Sequence, residues 1–443
     1  MKKVIFLFAM VLAISMAMAQ SNVSNTLQNG DENVITVAQT GSNNLVGRVA
    51  TLSSAVTVSS QTGNLNEATV TQNGTDNTAF FEQGTSLRYP GTLPASGDEN
   101  EITIGQAGAS NVTWGYSLGN GNIVSVTQAV DNNTSGHWLW GDDNKTTISQ
   151  TGGTGNYSYA AANSSDNTST ITQVGTDNEG LTSQGWIGYT NHDNNIATIT
   201  QKGSRNKVVM ADGTDFTPAV GGYTSDLWGF GIQQYGENNI GTAIQTGDDN
   251  QAAVYQYGVT NTGYINQDGD DNTSNTIQEG SANFANIGIL EDDNEANIRQ
   301  KGDENVGTAV IIGEDNSVDL LQTGNINLSG NTIEGNSNTI KTTQSGNNNS
   351  TSSWLQGNLN TVTVLQSGSG NKNVNYTNQD YSAWPGEDDS NVFDITQMGN
   401  NNTNTNTLMH GDSNTFDITQ LGNGNISINT VTGNLNTITV TQN

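Results

Sequence analysis

The sequence has no cysteine, only 4 prolines and little positive charge. Without cysteine, no disulfide can cross-link the fold. The 12 lysines and arginines stand against 42 aspartates and glutamates, a net charge of −30. Nucleic acid is therefore not an expected partner, because binding its phosphates requires basic residues. Hydrophobic residues make up 32% of the 443 positions, few for a conventional core of this size.

The N-terminal residues have the pattern of a secretory signal peptide. Lys2 and Lys3 precede an apolar run from Val4 to Met16, and Ala17-Met18-Ala19 supplies small residues for cleavage before Gln20. An N-terminal membrane anchor is the alternative, but the run is shorter than the ~20 apolar residues that span a bilayer. We therefore predict that residues 1–19 are a signal peptide and that residues 20–443 are exported.

A repeat of eleven residues argues against disorder in this polar chain. Thirteen positions in this frame follow one another without insertion or deletion, and all are Gln, Ile or Leu. Asparagine lies five positions after each of them, and glycine lies two positions after all but one, where Glu291 stands. Such regularity is typical of repeat proteins. The positions are Gln234, Gln245, Gln256, Gln267, Gln278, Ile289, Gln300, Ile311, Gln322, Ile333, Gln344, Leu355 and Gln366.

The same frame recurs through most of residues 20–443, interrupted by irregular stretches. All 4 prolines lie within these stretches. Proline cannot donate to a strand ladder, so its exclusion from the repeats favours β structure. We predict insertions near 85–96, 154–165, 186–193, 213–231 and 374–390.

Alternation within a repeat indicates a strand preceded by a turn. Asn360, Val362, Val364 and Gln366 are spaced by two and would share one face of a strand. The G-x-x-N segment before each strand is the predicted turn. Glycine there adopts positive φ at no cost, and asparagine tolerates the left-handed region.

Successive half-repeats differ in the size of the residues expected to face inwards. One half offers Val318 and Leu320, and the next offers Ser329 and Asn331. A large face packed on a small one fills a narrow interior at ordinary density. We therefore predict an all-β fold, a β-solenoid or cross-β stack of 22-residue two-strand layers.

Identical positions in such a stack lie about 4.8 Å apart. Their side-chain amides are expected to form hydrogen-bonded ladders, as in cross-β assemblies. The predicted ladder residues are Gln234, Gln256, Gln278, Gln300, Gln322, Gln344, Gln366, Asn250, Asn272, Asn294, Asn316, Asn338 and Asn360.

The repeat resembles the curlin repeat of bacterial curli-type amyloid fibres, which reads Q-x-G-x-x-N-x-A-x-x-x-Q. Gln61-Gly63-Asn66-Ala68-Gln72 and Gln245-Gly247-Asn250-Ala252-Gln256 match this pattern throughout. The resemblance implies a secreted structural subunit of extracellular fibres that support adhesion and a biofilm matrix. It also implies passage through the periplasm and an outer-membrane secretion pore, and association with other curli-type subunits as major subunit, nucleator or accessory.

The repeat frame continues to Gln442, and this favours head-to-tail self-association over a solitary module, because an exposed strand recruits partners. The alternative is a monomeric β-solenoid adhesin that binds a surface or a polysaccharide. Outward threonines such as Thr361 and Thr363 could contribute to such a surface. Tryptophans such as Trp138 and Trp140 could stack on carbohydrate.

No enzymatic site or cofactor site is expected. His137, His192 and His410 are dispersed and lie in or near irregular segments. No nucleophile has the partners that catalysis requires, and no group has metal-ligand spacing.

Acidic turns recur at the layer spacing and form a candidate cation site. Stacked carboxylates repel one another, by roughly 1 kcal/mol at this separation in water. They could slow assembly before export until acid or divalent cations relieve the repulsion. The alternative is that they are solvated turn residues that aid solubility. The residues are Asp249, Asp271, Asp293 and Asp315.

Overall fold

The computed structural model describes residues 21–47, 58–84, 97–185, 192–209, 231–377 and 389–443. Within these ranges every regular element is a β-strand, which confirms the predicted all-β class. They contain no helix long and apolar enough to cross a membrane. The chain divides into unit 1, residues 1–205, and unit 2, residues 206–443. The predicted signal peptide lies outside the described residues.

Unit 1 contains two parallel sheets. Sheet A1 consists of β1 (Val23–Ser24), β2 (Thr26–Asn29), β4 (Leu45–Val46), β5 (Ser59–Thr62), β7 (Thr78–Gly84), β9 (Val112–Leu118), β11 (Thr134–Trp140), β13 (Tyr157–Ala162) and β15 (Glu179–Gln184). Sheet B1 consists of β3 (Val34–Ser42), β6 (Glu67–Thr75), β8 (Glu101–Ala109), β10 (Ile123–Gln128), β12 (Lys145–Thr151), β14 (Thr168–Val174) and β16 (Ile196–Lys202).

Unit 2 has the same organisation. Sheet A2 consists of β17 (Lys207–Val208), β18 (Ile232–Tyr235), β20 (Gln251–Val259), β22 (Thr273–Ser281), β24 (Glu295–Lys301), β26 (Ser317–Thr323), β28 (Thr339–Asn347), β30 (Thr361–Ser369), β32 (Val392–Asn400), β34 (Thr415–Leu421) and β36 (Thr437–Gln442). Sheet B2 consists of β19 (Ile240–Thr246), β21 (Thr262–Asp268), β23 (Phe284–Leu290), β25 (Val306–Ile312), β27 (Leu328–Glu334), β29 (Ser350–Gln356), β31 (Lys372–Thr377), β33 (Thr403–His410) and β35 (Ile426–Thr432).

From β5 to β16 and from β18 to β36, consecutive strands alternate between the two sheets, and strands of successive layers pair in parallel. In sheet A2, Thr273 of β22 pairs with Glu295 of β24, and Glu295 pairs with Ser317 of β26. These partners are 22 residues apart, so one layer is two strands. The predicted β-solenoid of 22-residue layers is confirmed.

Two of the predicted insertions overlap strands. Strand β13 lies inside the stretch 154–165 and pairs with β11, with Thr134 opposite Tyr157. The repeat frame is not visible there in the sequence because Ala162 occupies the position of the glutamine, opposite Leu139. Strand β31 likewise covers the first residues of the stretch 374–390. The stretch 85–96 and most of the stretches near 186–193, 213–231 and 374–390 lie outside the described residues.

The interior of unit 2 packs large side chains on small ones, as the half-repeats predicted. Val318 and Leu320 of β26 are fully buried on the inner face of sheet A2. Ser329 and Asn331 of β27, on sheet B2, are also buried, with at most 1% of each residue exposed. This pairing lets two strands enclose a dry core without a third layer.

The turns differ from the prediction in one respect. Gly302 has φ +116, as expected, and a Cβ built on it would lie 2.3 Å from the carbonyl oxygen of Gly324 in the next layer. The left-handed residue that follows is Glu304, with φ 57, not the frame residue Asn305. The asparagine has another role because it is fully buried and hydrogen-bonds along the stack.

Candidate functional site

A continuous ladder of glutamine amides runs through sheet A2. Each Nε2 donates to Oε1 of the glutamine one layer further along the chain, over 2.7 to 3.0 Å. All members before the last are buried to 1% exposure or less. The ladder consists of Gln234, Gln256, Gln278, Gln300, Gln322, Gln344, Gln366, Gln397, Gln420 and Gln442.

The same amide nitrogens also join the two sheets. Gln256 Nε2 donates to the carbonyl oxygen of Ile240, at 2.8 Å, and Gln300 Nε2 donates to that of Phe284, at 2.9 Å. Both amide hydrogens are therefore used, one along the stack and one to the opposite sheet. A buried amide is stabilising only when its hydrogen bonds are made in this way.

A second ladder is formed by the turn asparagines. The main-chain N–H of Asn272 donates to Oδ1 of Asn250, and Nδ2 of Asn294 donates to Oδ1 of Asn272. Nδ2 of Asn294 also donates to the carbonyl oxygen of Gly313 in the following turn, at 2.7 Å. The other predicted asparagines continue the main-chain bond: Asn316, Asn338 and Asn360.

The two ladders have opposite hydrogen-bond directions. Along the chain, Gln322 donates forwards to Gln344, whereas the main chain of Asn338 donates backwards to Asn316. The two sides of a layer therefore differ in where they present donors and acceptors. A further layer can satisfy both ladders only if it is added in the same orientation.

Each unit replaces glutamine by other residues in one of its sheets. In unit 2, Gln245 donates to Gln267 in sheet B2, and the positions after them are Ile289, Ile311, Ile333 and Leu355, all buried. In unit 1 the long ladder lies in sheet B1 and consists of Gln39, Gln72, Gln106, Gln128, Gln150, Gln173 and Gln201. In the layers from Ile289 to Leu355 of unit 2, aliphatic and amide stacks therefore form opposite sheets.

The four aspartates of the acidic turns occupy left-handed positions. Asp249, Asp271, Asp293 and Asp315 have φ between 57 and 58. Among the described residues, no group of three or more acidic, histidine or cysteine side chains could hold a metal ion, so these aspartates form no such cluster.

The neighbouring carboxylates have a structural role that the sequence did not reveal. Asp270 Oδ1 accepts the main-chain N–H of Asp248 at 2.7 Å, and Asp292 Oδ1 accepts that of Asp270 at 2.8 Å. A carboxylate and an asparagine amide oxygen are equivalent acceptors at this position, since Asn336 Oδ1 accepts from Glu314 in the same way.

His137 was expected in or near an irregular segment, but it lies in the middle of β11 and points into the core. It is fully buried, and its register partners are Gly115 and Ala160. A Cβ on Gly115 would lie 2.1 Å from the imidazole, so glycine provides the space for the ring. Burial lowers the pKa of His137 from 6.5 to about 3. It is therefore a neutral core residue.

Aromatic rings cluster on the outer face of sheet A1. The ring centroids of Trp114 and Tyr159 are 5.3 Å apart, and those of Tyr116 and Trp138 are also 5.3 Å apart. Gly136 lies between Trp114 and Tyr159 and leaves room for both rings. Trp114 and Trp138 are half-buried.

These features define a class of protein: a parallel β-solenoid whose layers are held by buried amide ladders. The family profile of the curlin associated repeat matches residues 247–280 and 292–324. These residues are therefore curlin repeats, as the spacing of Gln, Gly and Asn indicated. No curated protein matches the chain.

Proposed function

We propose that the protein is a structural subunit of extracellular curli-like amyloid fibres. The observation that carries this proposal is the uninterrupted glutamine ladder from Gln234 to Gln442, in which every layer offers the same bonds to the next. Parallel, in-register strands with stacked amides are the arrangement of a cross-β fibre. A second copy can extend the stack with bonds that the fold already uses.

Opposite ladder directions favour head-to-tail growth. A copy added in the same orientation places glutamine Nε2 against Oε1 and asparagine Oδ1 against main-chain N–H, as Gln322–Gln344 and Asn316–Asn338 do within the chain. A reversed copy would place donors against donors, and each unsatisfied buried group costs about 1–3 kcal/mol.

Fibre assembly belongs outside the cell, where it would support adhesion and a biofilm matrix. The signal-like residues 1–19 provide entry to the periplasm. From there an outer-membrane secretion pore, shared with other curli-type subunits, completes export. The repeat offers only structural contacts, so no enzymatic activity is assigned.

Fibre growth by the purified secreted chain tests the proposal. We expect thioflavin-positive fibres in electron micrographs and a meridional reflection at about 4.8 Å along the fibre axis. A chain that stays monomeric at high concentration in sedimentation velocity would refute it.

A second candidate function is polysaccharide binding, which the aromatic cluster on sheet A1 favours. Tyr116 of this cluster is buried, whereas Trp114 and Trp138 are half-buried, and indole rings stack on the apolar face of sugars. Monomeric chain should then co-sediment with insoluble cellulose, and replacing both Trp114 and Trp138 by alanine should abolish this. Trp354→Ala, on the outer face of sheet B2, is the control. Equal retention of all three proteins would exclude the site.

A further inference from the structure

Unit 2 carries an exposed apolar patch on the outer face of sheet B2. The patch consists of five side chains of β23, β25 and β27, which are 37–49% exposed: Phe284, Leu290, Val310, Ile312 and Leu328. Because β25 pairs in register with both neighbours, these side chains lie in columns along the stack. Large exposed apolar patches commonly mark an interaction surface.

The patch has an uneven relief. Phe284 and Leu328 form one ridge, and Leu290 and Ile312 form another, at the two ends of the strands. Between the ridges, Gly288 leaves a gap in its own layer, where a built Cβ would meet nothing within 4 Å, and Val310 lies next to it in register. The gap at Gly288 is therefore open to a side chain from outside.

The patch carries no charge. The outward residues of β23 and β25 are all uncharged, and Asp268 of β21 and Glu334 of β27 mark its limits. The opposite outer face of the same layers, on sheet A2, carries Glu295, Arg299 and Asp319.

We propose that this patch pairs with the same patch of a second copy, so that two fibres associate laterally. The chain has a net charge of −30, and most faces of two copies would repel. This face can approach itself without bringing like charges together. A ridge side chain of one copy entering the gap at Gly288 of the other would form a dry, interdigitated contact.

The small area of the patch limits pairing to fibres. Three layers of about 4.8 Å and seven residues of about 3.3 Å give roughly 330 Å². A stable pair of proteins buries about 800 Å² on each partner. Isolated copies therefore do not pair, whereas fibres repeat the patch once per subunit and their contacts add. The inference thus rests on the proposed function.

Two matched substitutions test the pairing. Val310 is 37% exposed on β25, and Leu321 is 38% exposed at the same position of β26, on the opposite outer face. We expect Val310→Lys fibres to have half the wild-type width in electron micrographs, because the buried charges repel, while Leu321→Lys fibres keep the full width. Equal widths for all three proteins would overturn the pairing.

Cross-linking provides a second readout, since the chain has no cysteine of its own. A short bis-maleimide should link Val310→Cys fibres into dimers and leave Leu321→Cys fibres as monomers. If Leu321→Cys fibres cross-link to the same extent as Val310→Cys fibres, the assignment of the face is wrong.

If Val310→Lys instead abolishes binding to lipid vesicles at unchanged fibre width, the occupant is a lipid surface and the pairing is refuted. A wild-type chain that forms no fibres overturns the proposed function and this inference together, whereas single-width fibres overturn the pairing alone.

Discussion

The amide nitrogen of Gln322 lies 2.9 Å from the amide oxygen of Gln344, and the two residues are one layer apart. Gln322 also accepts from Gln300, at 2.9 Å, and donates to the carbonyl oxygen of Val306, at 3.0 Å. Its side chain thus joins three layers of sheet A2 and one strand of sheet B2. The amide is fully buried, so no water can replace a lost partner.

Gln322→Leu should destabilise unit 2 by about 3 kcal/mol, because it leaves Gln344 Oε1 without a donor and removes an acceptor from Gln300. Amide hydrogen exchange of β24, β26 and β28 would report the loss of protection. The control is Ile333→Leu in the aliphatic stack of sheet B2, where a volume-conserving change should cost less than about 1.5 kcal/mol. Similar protection in both variants would show that the ladder is not stabilising.

The reciprocal change, from an aliphatic side chain of sheet B2 to glutamine, should destabilise unit 2 by a similar amount. Ile333 is fully buried between Ile311 and Leu355, which offer no hydrogen bonds. Ile333→Gln would bury an amide without ladder partners, at a cost of about 3 kcal/mol. Exchange in β25, β27 and β29 measures this loss. A neutral Ile333→Gln would mean that the two stacks are interchangeable.

Ile326 occupies a left-handed turn position, with φ 60, and is 54% exposed. A β-branched residue is strained in this region, whereas asparagine tolerates it. Ile326→Asn should therefore stabilise the protein by about 1 kcal/mol. Asn348 has φ 56 at the equivalent position one layer further on, and Asn348→Ile should lose a similar amount. Urea unfolding of the monomeric chain measures both changes, and the same sign for both would contradict the argument.

The layer could be predicted from sequence because each residue's neighbours in the stack are its own equivalents. The recurrence of glutamine at positions 322 and 344 thus predicts both the strand and the contact between the two side chains in successive layers. Two features could not be predicted from the sequence. One is which residue of a turn adopts the left-handed conformation, and the other is which residues at unlike positions contact one another. The left-handed residue precedes Asn327 because the asparagine is needed for the ladder. The prediction that His137 lies in or near an irregular segment is wrong, because only the structure shows that Gly115 leaves space for the ring in the core.

Glycine is required in the turns but not on the outer faces of the strands. Gly302→Ala should cost at least about 3 kcal/mol, because the added Cβ would lie 2.3 Å from a main-chain oxygen and φ is +116. Gly330→Ala adds a Cβ whose nearest contact is Thr308 Oγ1 at 3.5 Å, and it should be neutral within about 1 kcal/mol. Proteolytic susceptibility of the monomeric chain would separate the two variants, and equal susceptibility would argue against the close approach of successive turns.

His137 should make unit 1 less stable in mild acid. Burial lowers its pKa in the folded state to about 3, below the 6.5 of a solvated histidine. The inward residues of the strands packed around it, β9, β10, β12 and β13, are uncharged, so no carboxylate stabilises the imidazolium. The folded state thus excludes a proton that the unfolded chain binds below pH 6.5. The stability that neutral His137 contributes is complete above pH 6.5 and is lost progressively as the pH falls towards 3.

Each pH unit below 6.5 should remove about 1.4 kcal/mol, so unfolding at pH 5 should require about 2 kcal/mol less than at pH 7.5. His137→Leu keeps an apolar side chain in the core and should remove this part of the pH dependence. His410→Gln, at a half-exposed position of β33, should retain it. Urea titrations of the three monomeric proteins at pH 7.5, 6 and 5 provide the measurement. If wild type and His137→Leu lose stability in parallel, the buried imidazole is not the titrating group.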